Sequence, residues 1–342
     1  MDNIETLESH EAKIMVFGCG GGGSNTVSRL TDMDIQGATT VAVNTDAKHL
    51  AVSKAHKKIL IGRDLTKGLG AGGYPEVGQK SAEESREEIK RTLKGCDLLF
   101  LTCGLGGGTG TGSAPVIAKI AKEMGAIVIA PVTMPFRMEG ARMRKAEDGL
   151  EHLRENADTT IIIENQKLLQ LAGDKPIKEA FGVADELIAT MIKGITETIS
   201  QPSLVNLDYA DVRAIMHSGG TATIGVGRSN TKDRAREAID LALSHPLLDV
   251  KYEGATGALI QIIGGEDLRL DEINFIGERV AGKMGPDSTV MWGARVLPDH
   301  KGKIQVITII TGVTSPSIKG NTRAEAKRVE TKFSNELGIK II

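Results

Sequence analysis

The sequence predicts an α/β fold: a doubly wound parallel sheet joined by one long central helix to a smaller α/β unit of α+β character. Three observations predict it. Short, almost continuously apolar runs recur through the first half, amphipathic stretches alternate with them, and one helical pattern of more than twenty residues separates this half from a second of different texture. Runs without a polar alternate face suit strands covered on both sides, as in parallel sheets. The 342 residues suffice for about two domains, each with its own core.

Taken in order, residues 13–17, 39–43, 58–61, 97–102, 126–132 and 159–163 read as buried strands, rich in Val, Ile and Leu. Between them, residues 24–31, 47–53, 81–93, 112–124 and 140–154 read as helices. The long helix spans about residues 177–199, where Ile177, Phe181, Ala184, Ile188, Met191, Ile195 and Thr198 or Ile199 fall at three- and four-residue steps. Beyond it, strands near 222–227, 258–263, 288–295 and 305–310 alternate with helices at 233–243 and 270–283. The expected organisation is a flexible N-terminus at 1–12, a first domain at 13–176, the central helix and the loop after it at 177–207, a second domain at 208–314 and a tail at 315–342.

Composition excludes several classes. Lys plus Arg number 42 against 44 Asp plus Glu, so the chain lacks the basic field of a duplex-binding protein, and no nucleic-acid partner is expected. No apolar run approaches the ~18 residues that span a bilayer, the polar start is not a secretory signal, and no polybasic patch invites direct membrane insertion. Cys19, Cys96 and Cys103 are odd in number and lack metal-ligand spacing, so reduced thiols in a cytoplasmic protein are expected, with no protein-held metal. Glycine is abundant, 41 of 342, while aromatics make up only 3%, which points to work done by backbone.

That work is concentrated in three loops. Gly18-Cys19-Gly20-Gly21-Gly22-Gly23-Ser24-Asn25 runs from the first strand into a helix, where bare N–H groups and the helix dipole favour an anion. Taken alone it fits a dinucleotide fingerprint equally well, with Asp46 placed to read a ribose. A second loop, Gly104 to Gly112, again joins a strand to a helix, and a third, Gly68 to Gly73, follows the third strand. All three would emerge at the carboxyl edge of the sheet, where open α/β sheets bind ligands, and two or more can hold a longer phosphate chain. The G-x-x-x-x-G-K-[ST] loop is absent, so no phosphate lysine is expected.

The run GGGTGTG at Gly106 to Gly112 resembles the signature loop of the tubulin and FtsZ superfamily of GTPases. GCGGGGSN, AVNTDAKHL, GLGAGG, PVTMPF, IIIENQKLL, EAFGVADELI and NLDYADVR follow the order and approximate spacing of FtsZ proteins across residues 12–315. The resemblance implies a polymerising cytoplasmic GTPase of the mid-cell division site, binding GTP or GDP with Mg²⁺. Phosphate contacts are implied from Gly20, Gly21, Gly22, Ala71, Gly72, Gly107, Gly108, Thr109, Gly110 and Thr111, with Asn44 closing the pocket. Ribose is expected at Glu139 and an arginine just after it; the segment is one residue short of the family pattern, so Arg142 and Arg144 compete for that role, and Arg142 is taken. Guanine is expected at Asn25, Asn165, Phe181 and Asp185. The last two lie four residues apart on one helix face, a ring to stack and a carboxylate to accept from the N1 and N2 donors that adenine lacks. Phe181 also suits a core, Asp185 a solvated helix face, and Asn165 a helix cap. Tyr74 stands where the family has asparagine.

The implied catalytic residues are Asp208 and Asp211, orienting a water, with Asn206 shaping their loop; an Asp-x-x-Asp at a helix start also reads as a cap. They follow a helix of more than twenty residues, which puts them roughly 30 Å or more away at the opposite end of the domain, so they cannot reach their own chain's nucleotide. A second copy stacked head to tail would receive them, and a homopolymer is expected. Mg²⁺ is expected on phosphates and waters. The tail, with its apolar end Leu337 to Ile342, reads either as a docking peptide for a membrane-anchoring adaptor or as a segment folded back on the second domain.

Overall fold

The computed structural model describes residues 12–201, 203–217, 220–244, 251–252 and 254–313. The first half is β1 Ile14–Cys19, α1 Gly20–Asp32, β2 Ala38–Asn44, α2 Ala47–Val52, β3 Lys57–Leu60, α3 Arg63–Thr66, α4 Pro75–Glu84, α5 Arg86–Leu93, β4 Leu98–Gly104, α6 Thr109–Glu123, β5 Ile127–Met134, α7 Ala141–Asn156, β6 Thr159–Glu164 and α8 Asn165–Ala172. The central helix α9 is Ile177–Ser200. After it come α10 Tyr209–His217, β7 Gly220–Ser229, α11 Arg234–Leu243, β8 Gly257–Gly264, α12 Leu270–Ala281, β9 Thr289–Val296 and β10 Ile304–Thr311.

The two halves share one sheet. Its order is β3-β2-β1-β4-β5-β6-β7-β10-β8-β9, parallel from β3 to β7, antiparallel where β10 enters between β7 and β8, and parallel again at β8 and β9. The join is short: β6 meets β7 only from Thr159↔Gly220 to Ile161↔Ala222. The sequence reading treats the second unit as linked through the helix; the structure adds this sheet continuity.

Alternation along the strands builds two layers. Met15, Phe17 and Cys19 of β1 face α4 to α7, packing with Ile89, Ile117 and Leu150, while Ile14 and Val16 face α1 and α9, packing with Val27, Leu30 and Ile188. Helix α9 also covers Leu259 and Ile307 of the second half, so one apolar layer runs under both. On the other face of that half, α11 and α12 bury Ile239, Ile260, Ile276 and Val306. Each such fully buried Ile or Val contributes about 1.5–3 kcal/mol. All three cysteines are buried and free; burial pushes the Cys19 and Cys96 thiols up to about 12, so they stay protonated at neutral pH.

Three expectations are corrected. The helix expected from residue 24 starts at Gly20, so the glycines form its first turn. The helix expected over 81–93 starts at Pro75, favoured at a first helical position, and breaks at Ser85, whose hydroxyl accepts from Gly62 N–H at 3.1 Å. The segments 165–172 and 209–217 are helices that the sequence reading does not resolve. The tail at 315–342 and all but the last residue of the 1–12 N-terminus lie outside the described residues.

Candidate functional site

Because β1 to β6 run parallel, every loop after a strand emerges at one edge, and chain order reverses at β1 between β2 and β4. Ligands of open α/β sheets bind at such a switch point. The sequence-predicted residues distribute along this edge by strand. Ala71 and Gly72 follow β3, Asn44 ends β2, and Gly20 to Gly22 follow β1. Gly107 to Thr111 follow β4, Glu139 and Arg142 follow β5, and Asn165 follows β6.

The glycine loops touch. At Gly20, with φ +70°, a Cβ would lie 2.8 Å from Gly110 N, so the first and second loops close on each other only without side chains. A Cβ on Gly108 would lie 2.8 Å from the Ala71 Cβ and from Tyr74 N, which brings in the third loop. Thr109 Oγ1 meets Thr45 Oγ1 at 2.6 Å, and Gly70 N–H donates to Thr45 O at 3.1 Å. Thr111 is buried with its hydroxyl turned onto Gly106 N–H at 2.9 Å, bracing the second loop from beneath. By contrast, a Cβ on Gly107 meets nothing within 4 Å and one on Gly21 only His49 Nε2 at 4.0 Å. Nothing in the chain's own packing requires glycine there, and the bare amides leave open space of the kind an anion can occupy.

Asn44 is buried, its Oδ1 accepting from Thr45 N–H at 2.9 Å and Asp46 N–H at 3.2 Å. That leaves its Nδ2 facing His49 Nδ1 at 3.3 Å, so Nδ1 accepts and Nε2 carries the proton toward Gly21. Asp46, the candidate ribose reader of a dinucleotide enzyme, instead caps α2 by accepting from His49 N–H at 3.0 Å.

Farther along the edge, Glu139 accepts from Phe136 N–H at 2.9 Å and from Arg142 Nη1 at 2.7 Å, so the two predicted ribose residues are paired. Phe136 stands edge-on to Phe181, 5.7 Å between centroids at 67°. Phe181 is 39% exposed, which is not a core position. Asp185 accepts from Thr26 Oγ1 at 2.7 Å across the α1 and α9 contact; burial pushes its carboxyl up, partly offset by the Thr26 bond and Arg29. Asn165 is buried and its Oδ1 has no partner; it makes no cap, since it lies inside α8. Asn25 is exposed one turn into α1, beside Thr26. An unpartnered buried amide oxygen, a carboxylate and a part-exposed ring fit a base with both donors and a stacking face.

Asn206, Asp208 and Asp211 lie elsewhere. Asp211 N–H donates to Asp208 Oδ1 at 2.7 Å and Asp208 N–H to Asp211 Oδ2 at 3.2 Å, a reciprocal cap of α10, while Asn206 Oδ1 accepts from Ser203 N–H at 2.8 Å. Tyr209 Oη donates to the carbonyl of Asp97, just before β4, at 2.9 Å. These residues therefore sit at the amino edge of the sheet, beyond the far end of α9, which continues past Phe181 and Asp185 for roughly 23–29 Å before it ends at Ser200. Sequence reasoning missed Thr26, Thr45, His49, Phe136 and Lys145. Lys145 Nζ donates to Gly73 O at 2.7 Å and lies 5.2 Å from the Tyr74 ring centroid. Thr45 and His49 lie inside AVNTDAKHL and Phe136 inside PVTMPF, Thr26 directly follows the first glycine loop, and Lys145 lies outside all of these motifs.

A switch-point anion cradle continuous with a base pocket defines a nucleotide-binding α/β protein. Comparison with known proteins narrows this. Residues 13–173 match the Tubulin/FtsZ family GTPase domain, and residues 220–314 match the FtsZ family C-terminal domain. The chain is 55% identical over 332 residues to Cell division protein FtsZ 2 of Methanocaldococcus jannaschii, covering 96% of this chain and 87% of that one. It is 51% identical over 330 residues to Cell division protein FtsZ of Methanothermobacter thermautotrophicus, with 96% and 87% covered. Among solved structures, an empty FtsZ dimer of M. jannaschii superposes with TM-score 0.85 at 47% identity, covering 92% of this chain and 95% of that one. CetZ1 of Haloferax volcanii shares the fold, with TM-score 0.78 at 24% identity and 94% and 99% covered. The chain belongs to the FtsZ family of tubulin-like GTPases. Guanine-nucleotide binding and a cell-division role follow from that membership. Among the described residues no helix is long and apolar enough to cross a membrane, and no group of three or more His, Cys, Asp or Glu is arranged to hold a metal.

Proposed function

We propose that copies of this chain stack head to tail into filaments of the division ring and hydrolyse GTP between subunits, one protomer holding the nucleotide and its neighbour supplying Asp208 and Asp211. The observation that carries this reading is the opposition of the two sets: pocket at the carboxyl edge, carboxylates at the amino edge, α9 between. A heterologous contact between those edges does not close, so it propagates. Phosphoryl transfer is catalysed mainly by positioning and charge, and a pair of carboxylates already ordered by each other's amides can orient a water without reorganising. Asn206 holds the approach to that pair. Mg²⁺ would neutralise phosphate charge from a seat on phosphates and waters. The solved relative described as an FtsZ dimer supports self-association. A cytoplasmic, mid-cell location and an adaptor docked on 315–342 rest on the family resemblance.

The reciprocal cap also favours a second reading, in which the aspartates serve α10 alone. Phosphate release against protein concentration separates the two, together with sedimentation in GTP, GDP and no nucleotide, with and without Mg²⁺. Interface catalysis gives a lag and then a steep rise, and Asp211→Ala filaments that still sediment release phosphate at least ~100-fold more slowly. Release strictly proportional to concentration, or unchanged in Asp211→Ala, defeats the interface reading.

A further inference from the structure

The third glycine loop has the least structure of its own. Gly70, Gly72 and Gly73 hold φ of +91°, +60° and +78°, and such a run, untethered, samples many conformations. Short turn bonds close it, including Tyr74 N–H to Ala71 O at 3.0 Å. From outside, Ala47 N–H donates to Gly68 O at 3.0 Å and Gly70 N–H to Thr45 O at 3.1 Å, which hold the first half of the loop; the second half is tethered by Lys145 of α7, whose ammonium donates to Gly73 O at 2.7 Å and stands 5.2 Å from the Tyr74 ring centroid, within cation–π range. That ring flanks Gly72, where a Cβ would lie 3.4 Å from Tyr74 Cδ2, and Tyr74 N lies against Gly108 of the second loop. Tyr74 is the position at which this chain departs from the asparagine of the family pattern, and a phenol cannot reproduce an amide's bonds.

We propose that Lys145 and Tyr74 form a latch that holds the loop at 68–73 in its phosphate-binding shape, which makes Lys145 a positioning residue for the terminal phosphate of a nucleoside triphosphate. The inference rests on the guanine-nucleotide reading and deepens it. Strand order supplies the geometry. The base residues lie after β6 and on α9, the loops after β1 and β4 are central, and the latched loop follows β3 at the far end. A diphosphate anchored by its base ends at the central loops; a third phosphate reaches the latched one. Ordering the loop beforehand therefore favours triphosphate over diphosphate.

The test measures binding of GDP and of slowly hydrolysed GTPγS to the full chain, held dilute, for the parent, Lys145→Met, Lys145→Arg and Tyr74→Phe. Lys145→Met is expected to weaken GTPγS about tenfold and to leave GDP within about twofold, the loss of one charge-assisted bond felt by one ligand only. Lys145→Arg and Tyr74→Phe keep cation and ring, and hence the parental ratio. Amide exchange at Gly70 to Tyr74 is expected to quicken in Lys145→Met bound to GDP. Equal weakening of both nucleotides, an unchanged ratio, or unchanged exchange would overturn the latch. A parent chain that binds neither nucleotide would instead overturn the guanine-nucleotide reading.

Discussion

In the proposed base site Asp185 would have to stay charged although it is mostly buried. Burial pushes its carboxyl up, and the Thr26 hydroxyl and Arg29 only partly offset that. The sign follows from linkage: a carboxyl raised in the folded chain adds stability at pH below its unfolded value, and that contribution is lost as pH rises through the folded one. Guanine needs the opposite, an ionised acceptor for two donors. The extra thermal protection given by GDP should therefore shrink on acidification, starting above the ordinary carboxylate range, and this part of the pH dependence should vanish in Asp185→Asn. That variant should lose GDP affinity by about 100-fold, since two guanine donors are left unpaired, and regain binding for a xanthine nucleotide, whose C2 carbonyl accepts from the new amide. Melting curves with each nucleotide from pH 7 downward decide it; a protection independent of pH would remove Asp185 from the base site. The pairing of Phe181 with Asp185 was legible because both lie on one helix face. Thr26 was not, since its bond to Asp185 joins positions 159 apart and leaves no local period.

At the scale of elements, helices and strands with strong periodicity were legible to within a few residues, and the junctions were not. The helix at 209–217 owes its start to Asp208 and Asp211 capping each other, a signal the sequence also carries for catalysis. Pairing of β6 with β7 has no local signature at all. The second half holds a device that only the fold exposes. Arg234 at the start of α11 donates from Nε and Nη2 to Glu272 of α12 at 2.7 and 2.9 Å, and from Nη1 to Asp267 at 2.6 Å. Burial pushes Glu272 up, but Arg234 and the Arg269 N–H outweigh it and hold the carboxyl below its ordinary value. Its stabilisation is thus present above the unfolded value and lost as pH falls through the lowered one. Arg234→Met leaves a buried carboxylate without its ion-pair partner, held by the Arg269 N–H, and should cost about 3–5 kcal/mol by urea unfolding, whereas adding Glu272→Leu should recover most of it. If the double variant is no more stable than the single, the pair is not what joins these helices.

At the scale of the whole molecule, the fold holds the candidate pocket and the 206–211 carboxylates at opposite edges of the sheet, and the proposed interface reaction rests on that separation. The layer under α9 is continuous from Val27 and Leu30 through Ile188 to Leu259 and Ile307, so the helix between pocket and carboxylates is packed into the core of both halves. Intragenic rescue is closed to such a molecule, but rescue between copies is open. Asp185→Asn has an intact 206–211 loop and a spoiled base pocket; Asp211→Ala has an intact pocket and a spoiled loop. Each alone should release little phosphate from GTP. Mixed in equal amounts, random stacking places an intact pocket against an intact loop at about a quarter of contacts, so activity should return to at most about a quarter of the parent's. Co-sedimentation establishes that both variants entered the same filaments. With that shown, release no greater than the sum of the separate variants would mean that pocket and carboxylates do not meet across a subunit contact.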